Sequence, residues 1–525
     1  MASPNGRGTL HCPVSYRLIC LIWISPLTAS IHILDDDSLL NIFYLYQPFL
    51  LGEDEDEDDR LTGGRGGWIR GRWWYNLAHV CQRWRDVILG SASYLGVSLV
   101  CTHGTPVADM LAHSPHLPLI IDYRRPDEDD DEDGVILALK QYDCVRRVRF
   151  MMSVRRLQNI VAAMDDEYSI LEYLIIWPTD EDKSSILIFP ETLQAPHLCH
   201  LALFGFTLPI GSRLFTAAVG LVTLHLYMTY PSTYFLPNTL LQWLSSMPQL
   251  ETLYFGFMFP IPNRDVERQL THTPIMTTVA LPNLRRFGFR GVGTYLEAIL
   301  HRIATPLLEK LQIDFYNQLM FSVPRLLQFV SATENLRFKS AKFEFSDGDI
   351  DLKVYPYEEA KTYALAIAVI CYHLDWQVSS AAHISNLLGP TFSAVEHLTL
   401  EHSVHTQSCE EHNEADPTDW RKLLRSFRNV KTLHITEGLV KELSHCLELD
   451  DGELPLGLLP ELQELTYVGS GNTGNKFTSF IDACQDAGRS ITLIRRSPSP
   501  DQTVSSVEPS PVNLASSEAG SGLDT

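Results

Sequence analysis

The chain has 525 residues, a formal net charge of −23 and 45% hydrophobic residues, so it is long enough for more than one domain and apolar enough to fold. Unbroken acidic runs at 53–59 and 127–133 supply 14 of its 64 acidic residues, and without them the formal charge would be −9. Nucleic-acid affinity depends on Lys and Arg that neutralise phosphates, so this balance argues against nucleic-acid binding as the main function.

Residues 1–30 form an apolar N-terminal extension. Arg17, followed by LICLIWISPLTAS, has the charged start, apolar stretch and small-residue end of a secretory signal. The alternatives are an extra apolar helix or strand, or a misassigned first exon. No later stretch reaches the roughly 18 apolar residues of a membrane span, so no membrane association is expected. The ten cysteines are scattered without a C-x-x-C motif, which favours reduced, buried thiols in a cytoplasmic or nuclear protein.

Two short amphipathic helical patterns follow, at 31–48 and 73–92. Each spaces its apolar residues at three and four positions, and the first begins with three aspartates, which favour a helix start. The apolar residues are Leu34, Leu39, Leu40, Ile42 and Phe43 in the first pattern, and Leu77, Val80, Cys81, Trp84, Val87 and Ile88 in the second. Two helices this short cannot bury such faces alone, so a partner surface is implied.

The segments around these helices are polar. An acidic and glycine-rich insert at 52–72 separates the two patterns, and the acidic run at 127–133 marks a connecting segment at 100–135. Both acidic runs are expected to be solvated loops. The tail at 495–525 is rich in Ser, Pro, Gly and Glu, which predicts disorder, and Ser497, Ser499 and Ser510 each precede a proline.

From 136 to 494 one pattern recurs: apolar, two variable residues, apolar, one variable residue, apolar. It begins at 145, 171, 198, 221, 250, 284, 308, 395, 430 and 462, and clear neighbours are 23 to 35 residues apart. This period predicts a solenoid in which each unit supplies a short strand and a returning helix. Degenerate strands near Phe338 and Ala364 are expected to fill the gap between 308 and 395.

The repeats resemble irregular leucine-rich repeats, and the helical pair resembles an F-box. Further stretches, including AVICYHLDWQVSSAAHI at 368–384 and PHLPLIIDY at 115–123, are similar to the large F-box families of mushroom-forming fungi. Two features depart from the family: the usual Leu-Pro opening is Leu34-Asp35 here, and the insert separates the helices more widely. The fold expected is therefore α/β, with an N-terminal helical F-box-like domain at 31–99 followed by an irregular leucine-rich-repeat solenoid with a curved parallel sheet.

This resemblance implies the substrate receptor of a Skp–cullin–F-box ubiquitin ligase, monomeric apart from that complex. The helical pair would bind a Skp-type adaptor and, through it, a cullin, while the repeats would bind an unknown protein client. The predicted adaptor-binding residues are Leu34, Leu40, Ile42, Phe43, Val80, Cys81 and Trp84; some of them, Trp84 above all, have an alternative role in the small core of the F-box fold. One other interpretation is a repeat scaffold with a degenerate F-box and no role in ubiquitination. Another is a secreted or membrane-associated repeat protein.

Strand alternation places the predicted client surface. In an apolar-x-apolar strand the intervening side chain points to the opposite face, which we call the inner face. Aromatic and arginine side chains dominate protein interfaces. The residues predicted to bind the client on the inner face are Phe204, His225, Tyr227, Tyr254 and Arg290. The alternative is that some of them only pack against neighbouring loops.

The sequence contains no motif for catalysis. GGRGG at 63–67 lacks the preceding strand and the following Lys of a phosphate loop, and no G-x-S-x-G or H-E-x-x-H motif occurs. His402, His405, Cys409 and His412 could converge on zinc only if their polar loop folded back, and their spacing matches no structural zinc module. Neither enzymatic activity nor a metal or cofactor is expected.

Overall fold

The computed structural model describes residues 34–47, 73–113, 116–124, 132–179, 187–207, 212–228, 234–257, 278–316, 322–402, 415–447, 457–468 and 477–496. The chain divides into two compact units, one ending at Asp122 and one beginning at Tyr123. The N-terminal extension, the insert at 52–72 and the tail from 497 lie outside the described residues.

The first unit is mainly helical. Its elements are α1 (Asp36–Tyr46), α2 (Trp73–Ala78), α3 (Gln82–Gly90), β1 (Leu99–Cys101), α4 (Val107–His113) and β2 (Leu119–Tyr123), the last residue of which belongs to the second unit. β1 and β2 pair in parallel. The prediction of a single helix at 73–92 is wrong. Cys81 has extended backbone angles (φ −161°, ψ 167°), so the segment forms two helices, α2 and α3.

The aspartates at the start of α1 act as the sequence predicts. Asp35 caps the helix, because its carboxylate accepts a hydrogen bond from the Ser38 amide at 2.7 Å. This bond lowers the pKa of the Asp35 carboxyl. Asp36 and Asp37 occupy the first turn, where unpaired amides favour negative charge.

The core of the first unit joins α1 to the two later helices. Leu39 and Phe43 on α1 are completely buried, and the Phe43 ring meets the Trp84 ring edge-on with centroids 4.9 Å apart. The Trp74 indole donates to the Ser98 carbonyl at 3.1 Å. Arg83 on α3 pairs with Asp36 on α1 at 2.7 Å, which fixes the two helices side by side.

The second unit alternates strands and helices. Its strands are β3 (Val145–Met152), β4 (Tyr173–Pro178), β5 (Leu187–Ile188), β6 (His200–Phe204), β7 (Phe206–Thr207), β8 (Thr223–Met228), β9 (Thr252–Phe257), β10 (Val279–Ala280), β11 (Arg286–Gly291), β12 (Ile303–Ala304), β13 (Lys310–Tyr316), β14 (Ser340–Phe345), β15 (Asp349–Tyr355), β16 (Leu365–Ile370), β17 (His397–His402), β18 (Thr432–Ile435), β19 (Glu464–Val468) and β20 (Thr492–Arg496). Its helices are α5 (Glu132–Leu139), α6 (Val154–Ala162), α7 (Arg213–Ala217), α8 (Pro237–Leu244), α9 (Gly293–Leu300), α10 (Pro324–Ala332), α11 (Leu374–Leu387), α12 (Gly389–Phe392), α13 (Pro417–Arg425), α14 (Val440–Leu447) and α15 (Thr478–Asp486), with a 3₁₀ turn at Glu437–Leu439.

One large sheet organises the second unit. Its strand order is β3-β4-β6-β8-β9-β11-β13-β16-β15-β14-β17-β18-β19-β20, and two short parallel pairs, β5 with β7 and β10 with β12, lie outside it. Each of the ten repeat positions predicted from the sequence begins at or just before a strand of this sheet. The α/β class and a large, mainly parallel sheet, consistent with a leucine-rich-repeat solenoid, are confirmed.

The apolar residues of the repeats stack in register. Leu201, Leu224, Leu253, Phe287 and Leu311 are neighbours across successive strands and are at most 1% exposed. Burying each such side chain contributes roughly 1.5–3 kcal/mol. The helices pack against this apolar face, since the strand residue Phe345 contacts Trp420 of α13 with centroids 5.3 Å apart. The repeat pattern therefore determines which face of each strand meets the core.

The expectation of an all-parallel sheet is wrong at one strand. The strands expected near Phe338 and Ala364 exist as β14 and β16, and both run parallel to their outer neighbours β17 and β13. Between them lies β15, which the sequence did not predict and which is antiparallel to both. A tight turn at Ser346–Asp349 joins β14 to β15, because no helix separates them.

Gln377 holds this reversed strand in place. The side chain is 1% exposed, and its amide donates to the Ser346 carbonyl at 2.7 Å and to the Cys371 carbonyl at 2.9 Å. It thereby links the β14–β15 turn to the segment that follows β16.

We expect Gln377→Leu to lower the free energy of unfolding by about 1–3 kcal/mol, because two carbonyls lose their donor in a buried place. Urea unfolding would measure the change. Gln485→Leu, at an exposed position of α15, is the matched control and should change stability by less than about 0.5 kcal/mol. Equal effects of the two substitutions would contradict the role of Gln377.

Candidate protein-interaction surfaces

The intervening side chains of the repeat strands lie in rows on the inner face. Cross-strand pairing places His225 beside Ala202 on one side and beside Tyr254 on the other. A second row, towards the carboxyl ends of the parallel strands, we call the carboxyl-edge row. It contains Trp177, Phe204, Tyr227, Gly256, Arg290, Asp314, Ala368, Asp351, Glu344 and Glu401.

Aromatic rings form the first part of the carboxyl-edge row. The Trp177 and Phe204 rings stack with centroids 4.0 Å apart, and the Phe204 and Tyr227 rings with centroids 5.0 Å apart. All three side chains are partly exposed. We call them the aromatic ladder, and it offers a partner a flat apolar surface with a hydroxyl at one end.

Two glycines make room for the side chains beyond the ladder. A Cβ on Gly288 would overlap the ring of Tyr254, and a Cβ on Gly256 would lie 2.7 Å from the Cβ of Arg290. Tyr254 therefore leans over Gly288 on the next strand. The two positions need glycine because a neighbouring side chain occupies the space, since neither has a positive φ.

The structure brings the five residues predicted to bind the client onto one face, but their exposure differs. Phe204, Tyr227 and Arg290 are partly exposed, whereas His225 is 4% and Tyr254 7% exposed. The expectation that these two present open side chains is wrong, because the rings of His225 and Tyr254 stack on each other with centroids 4.8 Å apart. Their role in client binding stays a prediction.

Burial keeps two histidines of the inner face neutral. Desolvation, with a smaller contribution from His200, lowers the pKa of His225 to about 3. Desolvation and the nearby Arg147 lower the pKa of His200 to about 4. His200 stacks on Tyr173 at 4.1 Å, and the Arg147 guanidinium lies 4.5 Å from the centre of that tyrosine ring.

The other part of the carboxyl-edge row is acidic, and sequence reasoning missed it. Asp314 and Asp351 flank Ala368, one on each neighbouring strand, and Glu344 and Glu401 continue the row. Desolvation raises the pKa of Asp314 to about 6, against the opposing effect of Arg290. Desolvation also raises the pKa of the Asp351 carboxyl.

Two lysines partly balance this acidic part. The ammonium nitrogen of Lys342 lies 2.5 Å from a carboxylate oxygen of Glu344 and 2.9 Å from one of Glu401. The ammonium nitrogen of Lys353 lies 2.5 Å from the other carboxylate oxygen of Glu344 and 3.5 Å from one of Asp351. Among the described residues, Asp314 forms no ion pair within 4.0 Å. The alternation of charged and apolar residues at 342–345 and 349–354 could have indicated this zone, but only with the reversed strand known.

The predicted adaptor-binding residues divide between core and surface of the first unit. Phe43 is completely buried and Trp84 packs on it, so the alternative core role fits this pair. Val80 is 57% exposed. The remaining residues, Leu34, Leu40, Ile42 and Cys81, are partly exposed, and Leu40 lines a surface groove with Asp36, Gln82, Arg83, Asp86, Val87, Gly90 and Ser91.

A larger exposed aromatic surface on the first unit was not predicted. Tyr44, Leu45, Tyr46 and Tyr94 are 51–57% exposed, and the rings of Tyr44 and Tyr94 lie 5.6 Å apart. Contiguous exposed apolar surface of this kind marks an interaction site on a folded protein. The apolar faces predicted from the sequence did not include these residues.

The described part of the chain shows neither a metal-binding cluster nor a membrane-spanning helix. There, no cluster of three or more His, Cys, Asp or Glu side chains could hold a metal ion. Of the zinc candidates, only His402 is described, since the other three lie outside it. No described helix combines the length and apolar character needed to cross a bilayer.

Comparisons with known proteins identify no family. No family model matches the chain, and no curated protein matches it. Among solved structures, the leucine-rich repeat-containing protein LegL7 from Legionella pneumophila aligns over 73% of this chain and 97% of its own length, with 12% identity and a TM-score of 0.24. A likeness this weak carries no argument, so the fold assignment depends on the strand order and register described above.

We expect Gly288→Ala to lower the free energy of unfolding by about 1–3 kcal/mol, because the new methyl group would overlap the Tyr254 ring and force it to move. Chemical denaturation would measure this loss. Gly220→Ala is the control, since its Cβ would meet no atom within 4 Å. If the two variants were equally stable, the packing of Tyr254 over Gly288 would be refuted.

We also expect stability to depend on pH through His225. Its pKa is about 3 in the folded chain against 6.5 in the unfolded reference, so the unfolded state binds more protons below about pH 6.5. The free energy of unfolding should therefore fall as pH drops from 6.5 towards 3, by up to about 1.4 kcal/mol per pH unit for this group. His225→Gln should reduce the difference in stability between pH 7 and pH 5. His197→Gln, at an exposed position, should leave the difference unchanged, and an unchanged difference in His225→Gln would contradict the assignment.

Proposed function

We propose that this protein is the substrate-recognition subunit of a Skp–cullin–F-box ubiquitin ligase. The observation that carries the proposal is the exposed apolar surface of the first unit, at Tyr44, Leu45, Tyr46, Val80 and Tyr94, each more than half exposed. These residues lie in or next to the segments whose sequence resembles an F-box. A small helical unit with such a surface requires a partner.

In this proposal the first unit binds the Skp-type adaptor and, through it, the cullin. The Arg83–Asp36 ion pair and the Phe43–Trp84 contact hold α1 against α3. Phe43 and Trp84 would then support the docking surface from within. Direct contact would come from Val80 and the partly exposed Leu34, Leu40, Ile42 and Cys81, together with the exposed tyrosines.

The second unit holds the client, and the chain performs no chemistry itself. Support comes from the inner face, where partly exposed aromatic and charged side chains lie in one row. A receptor of this kind acts by proximity, because it raises the local concentration of the client near a ubiquitin-charged enzyme bound elsewhere in the assembly. It would work in the cytoplasm or nucleus.

The second candidate function is a repeat-based interaction scaffold with a degenerate F-box. Two sequence observations favour it: Asp35 replaces the usual proline, and the insert at 52–72 separates the helices widely. Here the inner face would still bind a protein, but the first unit would not bind the adaptor. The secreted interpretation depends on residues 1–30, which lie outside the described residues.

Adaptor binding by a surface variant distinguishes the two candidates. We expect Val80→Glu to weaken binding of a recombinant Skp-type adaptor at least about tenfold, since a carboxylate would be buried at an apolar contact without a partner. Titration calorimetry on the full chain would measure it. Val219→Glu is the matched control, because Val219 in the second unit is 55% exposed and Val80 57%. Absence of adaptor binding by the unmodified chain would favour the scaffold.

A further inference from the structure

We infer, granting the proposed function, that the client binds through an extended segment carrying an apolar side chain and a Lys or Arg. The apolar side chain lies on the aromatic ladder Trp177–Phe204–Tyr227, and the cationic side chain enters the space above Ala368, between the carboxylates of Asp314 and Asp351. The inference deepens the proposed function by defining the chemistry of the client.

The cross-strand register creates the space above Ala368. Ala368 pairs with Asp314 on β13 and with Asp351 on β15, and all three side chains lie on the inner face. Strands in a sheet lie about 4.8 Å apart, so the two aspartate Cα atoms are about 10 Å apart. We call the position between the two carboxylates, above the methyl group of Ala368, the notch; Ala368 itself is 9% exposed.

The charges around this notch favour a cation. Five carboxylates, on Asp314, Glu344, Asp349, Asp351 and Glu401, share this part of the inner face with three cations, on Arg290, Lys342 and Lys353. Both lysines contact Glu344, Lys353 also lies 3.5 Å from Asp351, and the Arg290 guanidinium lies 5.1 Å from the centre of the Tyr316 ring. A client ammonium or guanidinium group would supply the charge that Asp314 lacks within ion-pair distance.

The register also fixes the spacing that the client segment needs. Phe204 on β6 is five strand intervals from Ala368 on β16, which corresponds to about 24 Å. An extended chain advances about 3.3 Å per residue, so about seven residues separate the apolar side chain from the cationic one. A nucleic acid fits this surface poorly, because its phosphates would meet the carboxylates.

The test uses the full chain and labelled synthetic peptides in fluorescence anisotropy. The probe is a twelve-residue Gly/Ser/Thr peptide with Trp near one end and Arg seven positions away, made in both sequence directions. The comparison peptides carry Glu in place of Arg, or Arg three positions from Trp. We expect one direction of the probe to bind, and each comparison peptide to bind at least about tenfold more weakly. Equal binding of the Arg and Glu peptides, or binding of neither, would overturn the inference.

Variants locate the two contacts. We expect Asp314→Asn with Asp351→Asn to abolish the preference for Arg over Glu, and Phe204→Ala with Tyr227→Ala to abolish the contribution of Trp. Asp482→Asn with Asp486→Asn changes the same charge at exposed positions of α15 and should have no effect. Ala368→Lys would place a tethered cation in the notch, so it should block the probe, and its melting temperature is compared with that of the unmodified chain to confirm that it is folded. Retained probe binding by Ala368→Lys would refute the notch.

The same preparations separate this inference from the proposed function. Adaptor binding is measured in parallel by calorimetry, because it requires none of the inner-face residues. A chain that binds the adaptor but not the probe refutes the client chemistry alone. A chain that binds the probe but not the adaptor refutes the ligase role and leaves the client chemistry supported for the scaffold.

Discussion

Parallel pairing of strands in register is the constraint on which the rest of the second unit depends. Because each repeat presents its leucine or phenylalanine at the same height, the apolar side chains form continuous buried rows. The side chains between them must then form rows on the opposite face. A shift by one residue would exchange the two faces, so the cost of exposing the core fixes the inner face as well.

The inner face has an aromatic part and a charged part, and the reversed strand β15 lies in the charged part. On one side of Arg290, the carboxyl-edge row is built by repeats of similar strand and helix, and it carries aromatic rings. On the other side, the β14–β15 turn and the amide of Gln377 insert a hairpin whose charged side chains alternate with apolar ones. The out-of-order pairing of β16, β15 and β14 therefore places Asp351 and Glu344 between Asp314 of β13 and Glu401 of β17.

Sequence periodicity predicted the features that local spacing encodes. The ten repeat strands follow from the 23–35-residue repeat, and the shared face of Phe204, Tyr227 and Arg290 follows from the two-residue period of a strand. The start of α1 follows from its aspartates. Features that depend on non-local pairing were missed: strand β15, strand β20 and the neighbourhood of Asp314 and Asp351. The burial of His225 and Tyr254 was also missed, because the tilt of one ring over the next depends on the absence of a side chain at Gly288.

Residues of the first unit show the same limit. The period of its second pattern continues through Cys81, but the backbone there is extended, so two helices replace one.

Hydrogen–deuterium exchange on the full chain, with and without a Skp-type adaptor, tests most directly the claim that the first unit binds the adaptor. The account predicts new protection at Asp36–Tyr46 and Trp73–Gly90 and none in the repeat strands. Protection confined to the repeat strands, or none anywhere at saturating adaptor, would contradict it.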